Sequence, residues 1–197
     1  MQVAAVILAA GSSTRFGSPK QLARVGDRTM LETVAAAAAA GGLGPVIAVV
    51  PPGMAVPPDT VPEVNGAPER GLSHSLRLGL AAVPSELGAA IILLGDQPTV
   101  TAATIRAVVA AGAANATRSI VAVRAEGRLG PPVLLRRDAF SLAERATGDE
   151  GLRSILARHP EGVAAVEVAQ HAPDVDTPGD LARIAHMFDS AQGATDR

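Results

Sequence analysis

Residues 3–20 read VAAVILAAGSSTRFGSPK: an apolar run, then small residues and a glycine, then a polar turn carrying Arg15 and Lys20. A run that is apolar on both faces suits a strand covered by helices on either side. Its exit through Leu8, Ala9, Ala10 and Gly11 lets the backbone approach a ligand closely, and successive N–H groups of small residues can face an anion. Arg15 can fork two phosphate oxygens, and Lys20 can set a point charge on the same group. A plain connection needs none of this, so the stretch predicts a strand followed by a phosphate-wrapping loop. Two familiar phosphate loops do not fit. In a Walker A reading from Gly11, Phe16 stands at the second glycine and Gln21 follows Lys20; in the dinucleotide fingerprint, Ser13 stands at the second glycine.

The rest of the chain alternates in the same way. Apolar runs at 2–8, 45–50, 89–94, 119–124, 131–135 and 163–168 read as strands. Helical patterns lie at 30–40, 73–82, 101–113, 138–146, 151–158 and 178–188. This predicts an α/β fold, three-layered and Rossmann-like, with a mainly parallel sheet, as a single domain over 1–188. The alanine run 35–40 reads as a helix packed closely on the sheet. The proline-rich stretch 49–62 reads as an irregular connection, and 189–197 as a disordered tail.

Composition excludes several function classes. With a net charge of −2 there is no basic excess for nucleic acid or a membrane surface. Aromatic residues make up 2%, too few for a base-stacking platform. There are no cysteines, hence no disulfide, thiolate or cysteine-zinc chemistry, and the four histidines lack metal-ligand spacing. No signal-peptide pattern or membrane-length apolar run is seen, so a cytoplasmic location is expected.

A triphosphate in the first loop requires Mg²⁺, which is held through one or two carboxylates plus phosphate oxygens. Asp96 follows an apolar strand, at the carboxyl edge where open α/β sheets bind ligands; it can equally be a turn aspartate before Pro98. In DVDTPGDLARI (174–184), Thr177, Pro178 and Asp180 read as a helix start, which leaves Asp174 and Asp176 unexplained. In NGAPERGLSHSLRLGL (65–80), small residues before a helix leave room for a base, or Ser73 and Ser75 serve an ordinary cap.

LAAGSSTRFGSPK (8–20) resembles L-A-[AG]-G-x-[SG]-x-R-[MF]-G-x-x-K, the signature of the MobA-like nucleotidyltransferases. Further segments agree in family order: 65–80, 95–98 (GDQP), 127–153 and 174–182. The resemblance implies a nucleoside-triphosphate-binding fold that moves a nucleoside monophosphate onto a phosphorylated acceptor and releases pyrophosphate. It implies that Lys20, Arg15 and Asp96 are catalytic. Leu8, Ala9, Ala10, Gly11, Ser12, Arg15, Lys20, Asn65, Gly71, Ser73 and Ser75 would hold the nucleotide, and Asp96 and Asp176 would bind Mg²⁺, with Asp174 in support. Ala10, Gly95 and Gln97 resemble the molybdenum cofactor cytidylyltransferase branch, which favours CTP over GTP, molybdopterin as acceptor and a molybdoenzyme as partner. Pro131, Pro132, Val133 and Asp149 would line the acceptor pocket. There the branch's G-H-P-V becomes Gly130, Pro131, Pro132, Val133, so proline replaces histidine and the acceptor assignment weakens. The alternatives are a guanylyl- or cytidylyltransferase for another small phosphorylated acceptor, or a nucleotide-binding escort for a molybdoenzyme without turnover.

Overall fold

The computed structural model describes residues 2–195 except Ser12, Thr14 and Arg15, with side chains as far as Phe188, Glu161 excepted. The expected strand β1 (Ala4–Leu8) is an inner strand, third in the order of a seven-stranded sheet. A short hairpin follows, β2 (Arg24–Val25) and β3 (Arg28–Thr29), then α1 (Met30–Ala40) and β4 (Val46–Val50). The chain continues through β5 (Thr60–Val64), α2 (Leu72–Ala81), β6 (Ala89–Leu94), α3 (Ala102–Ala114) and β7 (Ile120–Ala125). It ends with β8 (Arg128–Arg136), α4 (Gly151–Arg158), β9 (Val163–Glu167) and α5 (Pro178–Thr195). The strand order is β5-β4-β1-β6-β8-β7-β9.

Local chemistry sets the element starts. At α1, Thr29 Oγ1 accepts from the Glu32 N–H at 3.1 Å and the Glu32 carboxylate accepts from the Thr29 N–H at 2.6 Å, a closed capping box. Thr101 Oγ1 caps α3 in the same way by accepting from the Thr104 N–H.

Four elements depart from expectation. β8 runs antiparallel to both β6 and β7, because β7 returns through a two-residue turn, Glu126–Gly127, with φ values of 51° and 74°. β5 lies at the end of the stretch expected to be irregular: it is an edge strand, where Pro62 can sit without breaking an inner ladder. The stretch 138–146, expected as a helix, forms 3-10 turns over Arg137–Arg145 instead. α5 itself runs beyond residue 188 to Thr195.

Side chains of the sheet alternate between two apolar layers. Ala5, Ile7 and Ile91 face α1 and α3, whereas Val6, Leu8 and Ile92 face α2 and α4. Gly79 lets α2 lie against the sheet, since a Cβ there would come 2.3 Å from Val6 Cγ1. A third, smaller cluster joins Val25, Met30, Val175 and Ile184, with Phe16 and Phe188 against it. It fastens the first loop, the hairpin and the segment before α5 to one another.

Candidate functional site

β1 lies between β4 and β6, and the chain goes from β1 to β4 towards one edge of the sheet and from β6 to β7 towards the other edge. Their carboxyl ends, Leu8 and Leu94, are paired neighbours, so a crevice opens there at a topological switch point. The first loop leaves from one lip of this crevice and Asp96 from the other.

Lys20 is at its centre. Its Nζ lies 2.8 Å from Asp96 Oδ2 and donates to Asp176 Oδ1 at 2.7 Å. The Lys20 side chain is 10% exposed, that of Asp96 23% and that of Asp176 48%. Burial pulls the ammonium down, but the hydrogen bonds and charges of the two aspartates outweigh it and hold Lys20 above its ordinary 10.5. Burial pushes the Asp96 carboxyl above its ordinary 3.8, and the Lys20 contact only partly offsets this. The structure thus joins three of the residues expected to act together, Lys20, Asp96 and Asp176, from three distant parts of the chain.

The loop is held from beneath by residues the sequence reading passed over. Ser13, at φ 49°, receives the Lys20 N–H on its Oγ at 3.2 Å and turns that hydroxyl towards Gln21 Oε1 at 3.4 Å. Gln21 is 3% exposed, with its amide under Gly11. A buried amide beneath a glycine-rich turn has no signature of its own in sequence. Ser12 and Arg15, the latter expected to grip phosphate, lie outside the described residues.

The segment carrying Asp176 is fixed at several points. The Val175 N–H donates to the Asp96 carbonyl at 2.9 Å, and Gln97 Nε2 donates to Asp174 Oδ1 at 2.8 Å. Asp180 accepts from the N–H groups of Asp176 and Thr177, which closes the start of α5.

The remaining candidates divide. Leu8 and Ala9 are buried, with the Leu8 carbonyl taken by Gly95 and the Ala9 N–H by Val49, so they shape the crevice as backbone. Ala10 is buried and Gly11 exposed at its mouth. Asn65 is fully buried, bonded to Ser75 Oγ at 2.9 Å and to the Ala67 N–H; both residues hold the 65–71 loop in shape rather than facing a ligand. Ser73 is 1% exposed, and its Oγ has no hydrogen-bond partner among the described residues. Gly71, at φ 82°, meets the 148–151 segment so closely that a Cβ would come 2.5 Å from Gly148 C, and Asp149 accepts from the Leu72 N–H at 3.3 Å. The expected base-side and acceptor-side segments therefore touch. The antiparallel register puts the Pro131 end of β8 beside the Leu94 end of β6, on the same edge as Asp96. Val133 is fully buried and Pro132 buried, so their side chains belong to the core and only half-buried Pro131 can meet an acceptor.

Two carboxylates around one cationic point make a donor set of hard oxygens that suits Mg²⁺ or Mn²⁺. Among the described residues no group of three or more His, Asp or Glu side chains could hold a metal alone, so a cation here would need phosphate and water oxygens to complete its shell. No helix of the described residues is long and apolar enough to cross a membrane.

Known proteins bear on this arrangement. The crystal structure of Rv0371c from Mycobacterium tuberculosis superposes with a TM-score of 0.83 at 32% identity, over 94% of this chain and 98% of that one. A structure of Rv0371c in complex with manganese superposes at 0.79 with 29% identity, over 94% and 99%. The bifunctional protein GlmU of Staphylococcus carnosus is 30% identical over 55% of this chain, which spans only 25% of that protein's length. The 2-C-methyl-D-erythritol 4-phosphate cytidylyltransferase of Streptomyces coelicolor is 33% identical over 62% of this chain and 50% of its own. The MobA-like NTP transferase domain matches residues 5–163, the span that holds Lys20 and Asp96, and the chain belongs to that family.

Proposed function

We propose that this chain is a nucleotidyltransferase that moves a nucleoside monophosphate, CMP from CTP in the favoured reading, onto a phosphorylated acceptor. The observation that carries this is Lys20 held between Asp96 and Asp176 at the switch point, at the end of the loop that begins at Gly11. Cytidylyl transfer is supported by the similarity to the Streptomyces cytidylyltransferase and by the residues Ala10, Gly95 and Gln97. Molybdopterin is the acceptor the sequence resemblance suggests, with a molybdoenzyme as downstream partner; Pro131 stands in place of the branch's histidine.

In this mechanism an oxygen of the acceptor's phosphate attacks the α-phosphorus, the bond to the bridging oxygen of the β-phosphate breaks, and pyrophosphate leaves. A phosphate monoester is already anionic near neutral pH, so no residue is required as general base. Catalysis then rests on positioning and on charge. Asp96 and Asp176 would hold Mg²⁺, which supplies charge neutralisation and a template at the α-phosphate. With a nucleotide present, the Lys20 ammonium is released from the carboxylates to the triphosphate, where it balances charge on the leaving pyrophosphate. The exposed Gly11 would let the backbone approach the same phosphates closely.

The test is pyrophosphate release from CTP, GTP, ATP and UTP with Mg²⁺, each with and without molybdopterin. Release that needs acceptor and prefers CTP supports the full reading. GTP preference replaces the base and keeps the chemistry. No release from any pair, with binding intact, leaves the escort alternative as the better account.

A further inference from the structure

Gln97 has no part in the chemistry above, yet it is 6% exposed and its amide is aimed at one partner, Asp174 Oδ1 at 2.8 Å. Its backbone is fixed as well: the Gln97 N–H donates to the Leu94 carbonyl, and its own carbonyl accepts from the Val100 N–H. The donor is therefore rigid with respect to the turn that carries Asp96.

On the other side, Asp174 lies two residues before Asp176 on a segment without regular secondary structure. Between them, Val175 is fully buried in the third apolar cluster and donates its N–H to the Asp96 carbonyl at 2.9 Å. Asp176 itself is 48% exposed, so burial does little to hold its carboxylate in place. Two like charges that share a cation repel one another whenever that cation is exchanged. A binding pair must nevertheless keep its oxygens within about 0.5 Å of the productive geometry.

We propose that Gln97 is a positioning residue for the divalent-cation site: by holding Asp174 it latches the 174–176 segment to the Asp96 turn and sets the separation of the two carboxylates. This rests on the reading that Asp96 and Asp176 hold the cation. A neutral donor suits the task. A lysine or arginine at this position would compete for the same carboxylates, and a glutamate would repel Asp174.

The experiment compares two variants of the full chain that keep the wild-type net charge. Gln97→Met removes the donor. The double variant Gln97→Glu with Asp174→Asn reverses the bond, so that the amide of position 174 donates to the carboxylate of position 97. Mn²⁺ affinity is read by electron paramagnetic resonance with CTP present, alongside thermal melts and the apparent KM for Mg²⁺. Gln97→Met is expected to weaken Mn²⁺ tenfold or more and to raise the KM for Mg²⁺ while kcat recovers at saturating metal. The reversed pair is expected to stay within about threefold of wild type. If Gln97→Met melts below the assay temperature, Gln97→Asn, whose shorter amide falls short of Asp174, carries the same expectation. Wild-type affinity in the donor-less variant, or equal losses in both variants, overturns the latch. A wild-type chain that takes up no Mn²⁺ with any of the four triphosphates overturns the metal reading itself, a separate and recognisable failure.

Discussion

At the scale of single residues, the site turns on Lys20 occupying the point between the two carboxylates. An ammonium and a divalent cation cannot share that point, so Lys20→Met should bind Mn²⁺ more tightly than wild type when no nucleotide is present. The same variant should lose nucleotidyl transfer by orders of magnitude, as should Asp96→Ala, because charge on the leaving pyrophosphate and its template are then missing. Equal Mn²⁺ affinity in Lys20→Met and wild type would show that the pair does not bind metal there. Asp96 adds a pH dependence. Burial raises its pKa above 3.8, and only the ionised form binds a cation, so lowering the pH should weaken Mn²⁺ binding before an exposed aspartate would titrate. The affinity profile against pH checks this, and Asp96→Asn should bind weakly across the whole range. For Lys20 the sign is opposite. Its raised pKa contributes stability below 10.5 that is lost as pH rises through the folded value, so it is fully present at neutrality.

At the scale of elements, the capping box of α1 and the close seat of α2 carry the measurable energies. Thr29→Ala removes the hydroxyl that accepts from Glu32 and should destabilise the protein by about 1 kcal/mol in urea melts. The backbone and side-chain bonds from Thr29 hold Glu32 below its ordinary 4.5. Its contribution is therefore present above that value and fades as pH falls through the lower, folded pKa, so the Thr29→Ala difference should narrow in acid. Gly79→Ala would drive a methyl group into Val6 and Val49, at 2.3 and 2.9 Å from their methyl carbons. Overpacking of that kind costs about 1–3 kcal/mol, and it would push the last turn of α2 away from β1 and β4. A melt equal to wild type would mean that α2 can shift without loss. The sequence pattern located both helices closely, but it did not show that α2 comes near enough to β1 and β4 to require a glycine.

At the scale of the whole molecule, the site exists only where three chain segments converge: the loop after β1, the turn after β6 and the approach to α5. The third apolar cluster draws Phe16, Val25, Val175 and Ile184 together and so couples the loop to the Asp176 segment. Binding of a triphosphate to this assembled state should stabilise the fold by about 2.7 kcal/mol at a hundredfold excess over Kd. Thermal melts with Mg²⁺ and each of the four triphosphates measure it, and an unchanged midpoint with every nucleotide would count against a preformed triphosphate site.

The sequence by itself determined the alternation of buried strands and helices and the loop after β1, and it singled out Lys20, Asp96 and Asp176 as candidates, because hydrophobic period and residue chemistry are local properties. It also carried the family resemblance. What only the tertiary structure decided was how those residues meet. That β8 runs antiparallel depends on one two-residue turn, and that Val133 is core while Pro131 lies at the edge depends on register. The contact of Lys20 with both aspartates, the support of the loop by Gln21 and the Gln97–Asp174 bond join residues far apart in the chain. Such contacts follow from strand order and packing, and no periodicity or spacing along a single segment encodes them.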